Sequence, residues 1–344
     1  MSLIYNAVFD KNTRKLSFED KAGNEIYSCT IPERAPVVDD PNKPLMLRAI
    51  EDNSSVTLNK NGTLSNTYQT STDGTNWTNY TLGTKISLNK GESVYFRCSN
   101  HPTTQSNSNY VQFVMTGKVE AWHNAYSMIS SSFTNTGESV GDYGMCRLFR
   151  ACSSLTKAPL LLNALSPYCY YIMFSGCTSL TSAPQLPATT LAKYCYVSMF
   201  YGCKSLTSAP QLPATTLAES CYGTMFSGCT SLASAPQLPA INLSYSCYYA
   251  MFYECKSLTS APQLPATTLA NYCYQSMFSG CSKLKEVRIS ATTTATDALV
   301  NWLKDVSATG DFYCDPNATI FPSGVSGIPE GWRRLPLSDY PSTP

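Results

Sequence analysis

The residue types that could do chemistry in this 344-residue chain fall into repeated columns, and cysteine is the first of them. Ten of the fifteen cysteines form two series, Cys169, Cys195, Cys221, Cys247 and Cys273, then Cys177, Cys203, Cys229, Cys255 and Cys281, each at a step of 26 residues. Within one copy the two cysteines are eight residues apart. On a helix that is about 12 Å, beyond the ~7 Å between Cα atoms that a disulfide spans. Between copies, equal positions stacked at sheet spacing would lie ~4.8 Å apart, so distance alone does not forbid a bridge. Small, buried, apolar thiols are the simpler reading, because free cysteine is among the most buried residue types. There is no C-x-x-C, and His101 and His123 are the only histidines. Zinc has no recognisable ligand set here, and neither a metal nor a cofactor is expected.

Carboxylates come next. Asp39-Asp40 and Glu51-Asp52 are adjacent acids. Paired carboxylates hydrolyse glycosides, but sequence neighbours in turn-like surroundings do not face each other across a substrate. Nucleophile motifs and glycine-rich phosphate loops are missing too. The expectation is a chain that is not an enzyme, with no catalytic residue assigned.

One surface pattern remains. The residue after each Met-Phe alternates Ser175, Tyr201, Ser227, Tyr253, Ser279, and three positions on it runs Thr178, Lys204, Thr230, Lys256, Ser282. Tyr201, Lys204, Tyr253 and Lys256 are therefore the candidate surface-binding ladder. Their tyrosines would recur every ~10 Å at sheet spacing, comparable to a disaccharide repeat in a glycan. The competing explanation is duplication in pairs, with bulky Tyr beside small Ser easing the packing of layers. Gln185, Gln211, Gln237 and Gln263 form another column, expected to be a hydrogen-bonded ladder rather than a recognition code.

The elements that must position these residues repeat every 26 residues, framed by Met173-Phe174, Met199-Phe200, Met225-Phe226, Met251-Phe252 and Met277-Phe278. Such a period is the signature of a solenoid, in which stacked copies bury a face that one copy cannot bury alone. Cys195, Met199 and Cys203 at i, i+4 and i+8 predict one face of a helical turn, ended by Gly202. Residues 206–212 predict a short strand, which Pro210 narrows by removing a ladder donor. One helical turn and one short strand per copy is leucine-rich-repeat geometry, with Met199, Phe200, Leu206, Leu212 and Leu217 in the core.

The flanks differ. Strand-like alternation up to residue 30, with turns at residues 10–13 and 21–24, predicts a small meander with little core of its own. Short strands at 55–58, 66–69, 85–88, 93–97 and 110–115 predict a β-sandwich, with Trp77 packing across it. Residues 296–306 predict an amphipathic helix with Leu299, Trp302, Leu303 and Val306 on one side. The expected class is mostly β with short helical turns. It divides into an N-terminal β docking segment at 1–40, a β-sandwich at 41–130, a leucine-rich-repeat solenoid at 131–290 and a C-terminal α/β cap at 291–344.

A net charge of +1, with 14% charged residues, argues against a grip on nucleic acid or anionic membrane. No run reaches the ~18 apolar residues of a membrane helix, and the opening residues do not look like a secretory leader.

The phrase M-F-x-G-C-x-S-L-T-x-A-P-x-L-P-A-T-T-L, recurring over about residues 145–290, resembles the leucine-rich repeats of BspA-like surface proteins, common in gut Bacteroidales and their phages. S-T-D-G-T-N-W at 71–77, I-S-L-N-K-G-E-S-V-Y-F at 86–96 and G-I-P-E-G-W at 327–332 are familiar from the same group. The resemblance implies an exposed, non-enzymatic attachment protein and carries over no catalytic residue. A virion-associated fibre or capsid/tail decoration protein of a Bacteroidales phage is the leading expectation, placed at the virion surface. It would dock on other virion proteins through the N-terminal segment and meet a bacterial surface glycan or protein through the solenoid. The alternative is a bacterial cell-surface adhesin that binds host protein or glycan. Neither nucleic acid nor membrane insertion is expected, and a homo-oligomer is compatible with both.

Overall fold

The computed structural model describes residues 6–10, 15–30, 37–100, 105–130 and 140–340; the side chains of residues 9, 29 and 30 also lie outside it. His101, residues 11–13 of the first expected turn and the first five residues are thus outside the described residues. The described chain is mostly β, and its only helices are two 3-10 turns, Ala125–Met128 and Leu337–Asp339. It divides into two compact units, Met1–Asp39 and Asp40–Pro344.

In the first unit, β1 (Asn6–Asp10), β2 (Lys15–Glu19) and β3 (Glu25–Thr30) pair antiparallel in the order β1-β2-β3. Lys15 and Glu25 form an ion pair at 2.8 Å. Val8, Ile26 and Tyr27 are exposed, as expected of three strands too few to enclose a core.

The second unit begins with two sheets. They are built from β4 (Met46–Ala49), β5 (Ser54–Asn61), β6 (Tyr68–Ser71), β7 (Thr78–Tyr80), β8 (Ile86–Leu88), β9 (Ser93–Cys98), β10 (Tyr110–Thr116) and β11 (Val119–Trp122), of which β9, β10 and β11 alternate buried with less buried positions. The short β12 (Leu155–Lys157) joins them. One sheet runs β10-β5-β8 and the other β12-β11-β4-β9-β6-β7. Phe96 of one meets Phe113 of the other edge-on at 5.0 Å. Trp77 does not pack across the sheets as expected: it is only partly buried, and the Arg97 guanidinium lies 4.1 Å over its ring. That cation satisfies the ring's outer face while donating twice to Gln69 Oε1, at 2.9 and 2.8 Å.

Both sheets are extended at their edges by the repeats. The Phe113 amide of β10 donates to the Leu148 carbonyl at 2.8 Å, and β12 pairs parallel with β11, Val119 opposite Leu155. An edge strand presents unpaired backbone groups; here the first repeat takes them up.

The expected helical turn is absent from every copy. Seven runs of consecutive tight turns stand in its place, at 143–151, 168–176, 194–202, 220–228, 246–254, 272–280 and 297–305. In the third run the amides of Cys195, Val197, Met199, Tyr201 and Cys203 donate three residues back. The amides between them, of Tyr194, Tyr196, Ser198, Phe200 and Gly202, donate to Glu219, Cys221, Gly223, Met225 and Ser227 of the following copy. Every fourth residue is left-handed, as at Tyr194, Ser198 and Gly202, with φ of 58°, 52° and 69°. Among the described residues, every non-glycine with positive φ other than Asn53 and His123 occupies one of these positions. Each costs ~1–2 kcal/mol, and the bonds to the next copy hold it in place.

Layer spacing explains why turns displace the helix. Phe174, Phe200, Phe226, Phe252 and Phe278 stack at 5.6–5.8 Å between ring centroids. Packed helices sit ~8–10 Å apart, so helical copies could not keep that stack. The amphipathic helix expected at 296–306 is corrected likewise. Residues 297–305 form the seventh run, with left-handed Asp297, Asn301 and Asp305, and Phe278 donates to the Trp302 carbonyl at 2.9 Å. No α-helix occurs among the described residues of 291–344.

The return side of each copy is narrower than a short strand. Single parallel bridges join Ser182, Ser208 and Ser234, and Thr190, Thr216 and Asn242. Pro184, Pro210 and Pro236 lie two residues after those serines and carry no N–H for a wider ladder. After the last regular copy the ladder widens, in β13 (Glu286–Arg288), β14 (Gly310–Cys314) and β15 (Trp332–Pro336), which pair parallel. The glutamine column is also corrected: Gln185, Gln211, Gln237 and Gln263 are exposed, and no hydrogen bond joins them among the described residues. Their side chains remain in water, where a ladder would gain little.

One hydrophobic core runs from Leu45 to Trp332. Met199, Phe200, Leu206, Leu212 and Leu217 all belong to it, as does each repeat's Tyr of the Cys-Tyr pair, stacked from Tyr170 through Tyr196, Tyr222 and Tyr248 to Tyr274.

Candidate functional site

Each run of turns buries residues in pairs and turns the intervening pairs outward. In the third run Cys195-Tyr196 and Met199-Phe200 are inside, while residues 193–194, 197–198 and 201–202 face out. The outward pairs of successive copies line up because the backbone is bonded layer to layer.

The buried pairs offer no reactive group. Fourteen cysteines are free and buried among the described residues. Burial pushes the thiols of Cys169, Cys221 and Cys273 up to about 12 and those of Cys195 and Cys247 well above their ordinary value. A thiol that stays protonated is a poor nucleophile and metal ligand. No cluster of three potential metal ligands occurs among the described residues. The second cysteine column does make a specific bond: Cys177, Cys203, Cys229, Cys255 and Cys281 donate S–H to the phenylalanine carbonyl one copy earlier, at 3.0–3.2 Å.

Adjacent acids serve turns. Asp40 accepts from the Asn42 amide at 2.9 Å, Glu51 from Lys118 at 2.9 Å and Asp52 from Lys90 at 3.0 Å. His123 is buried, with its Nδ1 accepting from the Asp40 amide at 3.2 Å. That bond makes Nδ1 the unprotonated nitrogen of the ring.

The four ladder residues all lie on the outward face. Tyr201 is 49% exposed and Tyr253 40%, while Ser227 between them is 3% exposed. Lys204 and Lys256 are exposed. Lys256 pairs with Glu254 at 3.0 Å; Gly202 stands at the matching place ahead of Lys204. The two tyrosines are two layers apart, with the layer of Ser227 between them, and make no ring contact with each other among the described residues.

A second aromatic column, missed in the sequence, crosses the first outward pair. Tyr143 stacks on Tyr168 at 4.4 Å and Tyr168 on Tyr194 at 4.6 Å, with rings within 4° and 7° of parallel. The column then stops: the next two copies carry Ser220 and Ser246, and it resumes at Tyr272. In the neighbouring outward column Val197 gives way to Gly223 before Tyr249. The interruption opens a groove of ≈ 540 Å³ whose walls include Tyr194, Tyr245, Tyr249, Tyr272 and Gln275. Glu219 accepts a short hydrogen bond from the Tyr194 hydroxyl and pairs with Lys193 at 3.1 Å. That bond, with burial and the nearby carboxylate charge, holds the Tyr194 phenol up at about 12. The signal was legible as a 26-residue column that reads Tyr, Tyr, Ser, Ser, Tyr, but only once the correct column is known to face outward.

No helix among the described residues is long and apolar enough to cross a membrane. No family model, curated protein or solved structure matches the chain.

Proposed function

We propose that the chain is a non-enzymatic structural and attachment protein: a leucine-rich-type solenoid, built on a β-sandwich and closed by a C-terminal cap, that displays its outward pairs to a partner. The observation that carries this reading is the aromatic column, unbroken from Phe113 through Phe149 to Phe278 and then Trp302. It commits the interior to packing and leaves the periodic outer face for contact. Stacked repeats of this kind use extended surfaces rather than enclosed pockets.

The resemblance of the repeat phrase to BspA-like proteins supports a virion-associated fibre or decoration protein of a Bacteroidales phage. The exposed Val8, Ile26 and Tyr27 of the three-stranded unit are what a docking segment on other virion proteins would need to cover. Mass spectrometry of purified virions and of host outer membranes tests the assignment. Recovery of the chain with the virions supports it. Recovery with the outer membranes alone replaces it with a bacterial adhesin, and recovery with neither overturns both.

A further inference from the structure

We infer that the groove between Tyr194 and Tyr272 binds a neutral oligosaccharide, with one pyranose ring seated on the bare face of Tyr194. The inference rests on the outer face being a contact surface and names what one part of it contacts.

The binding face is made by omission. Tyr194 is the last ring of a parallel stack, and the side that would carry the next ring faces Ser220 instead. Its edge is fixed by Glu219, whose charge is answered by Lys193. A ring already held in place loses little freedom on binding, which favours affinity. Three layer steps separate Tyr194 from Tyr272, ~14 Å at sheet spacing, the length of a di- or trisaccharide. Gly223 removes the side chain that Val197 and Tyr249 supply in the adjacent copies, and so deepens the slot. Tyr272 closes the far end with its ring 5.3 Å from that of Tyr245.

The lining selects the ligand class. A pyranose has an apolar C–H face that packs on an aromatic ring and a rim of hydroxyls that needs small polar partners. The groove offers tyrosine faces together with Ser220, Ser246 and Gln275, and its lining has no Lys, Arg, Asp or Glu. An anionic glycan or nucleic acid finds no cation there. An extended peptide finds no strand edge either, because the Ser220 and Ser246 amides already donate to Tyr245 and Asn271.

The test is isothermal titration of the full chain with neutral trisaccharides of glucose, mannose, xylose and N-acetylglucosamine. Trigalacturonate serves as the acidic probe and Gly-Tyr-Gly as the peptide probe. Saturable binding of at least one neutral trisaccharide is expected, with both other probes weaker by about tenfold or more. Ser220→Tyr then fills the slot without straining the fold, because Tyr168 and Tyr194 hold the same left-handed position at φ of 57° and 58°. It should weaken binding at least about tenfold while leaving the thermal midpoint unchanged or higher. Gly223→Val, whose Cβ would meet nothing closer than 3.4 Å, should weaken it too. Tyr201→Ala with Tyr253→Ala should leave it intact. The inference is overturned if no neutral trisaccharide binds, if the peptide or acidic probe binds better, if Ser220→Tyr keeps full affinity, or if the Tyr201/Tyr253 variant abolishes binding. Finding the chain in virions while no sugar binds would sink this inference alone and leave the proposed function standing.

Discussion

Cys203 Sγ donates to the carbonyl of Phe174, 29 residues earlier, at 3.2 Å. The same carbonyl already accepts from the Cys177 amide within its own copy, so the thiol uses its second lone pair. Alanine would keep the size class and lose both the bond and the sulphur contacts. Cys203→Ala should cost about 1–2 kcal/mol, the sum of one weak hydrogen bond and a small cavity. A fall in the urea midpoint with unchanged far-UV circular dichroism is the expected result; an unchanged midpoint would remove the thiol from the account of stability.

The buried thiols make the fold sensitive to alkali. Those of Cys221, Cys229, Cys273 and Cys281 are pushed by burial from 9.0 to about 12. The folded chain therefore holds more protons than the unfolded chain between those values. Their contribution is fully present below about pH 9 and is lost as pH rises toward 12. Thermal melts should be level from neutral pH to about 8.5 and then fall steeply. Ellman's reagent at pH 8 should label almost none of the described thiols until denaturant is added. Rapid native labelling would contradict the packing.

Glu254 occupies a left-handed position, φ 59°, where four of the six equivalent residues are glycine, Gly176, Gly202, Gly228 and Gly280, and the other two are Ala151 and Asp305. Glycine adopts that conformation without the Cβ penalty. Glu254→Gly should gain up to about 1 kcal/mol, less the small value of an exposed pair with Lys256. The reverse change, Gly228→Ala, meets only ordinary contact at 3.5 Å and should lose about 1 kcal/mol through φ alone. Opposite shifts in thermal midpoint are the check.

Phe226 lies between Phe200 and Phe252, with centroids 5.6 and 5.8 Å away. Phe226→Ala should cost about 3–5 kcal/mol and separate the unfolding of the layers on either side, since each copy is stabilised by its neighbours. Tyr201→Ala, on the exposed side of the same stack, should stay within about 0.5 kcal/mol. Comparable losses for the two would mean that the inside and outside of the turn runs have been exchanged.

Much of this was written in the period. A 26-residue repeat with apolar pairs at Cys195-Tyr196 and Met199-Phe200 names the buried side chains, because burial depends on residue type and recurrence. Pro210 likewise announced a weak return strand, though single bridges are narrower than expected. The pattern could not name the backbone. Apolar residues four apart suit a helix of 3.6 residues per turn nearly as well as a four-residue run of turns, and the same ambiguity made a helix of residues 297–305. The stacking distance decided between them, because rings at 5.6–5.8 Å leave no room for helical layers. The groove at Tyr194 was beyond the sequence for a related reason. An interruption in a column becomes a cavity only when the register between layers and the outward direction of each pair are settled, and backbone bonds between distant residues settle both.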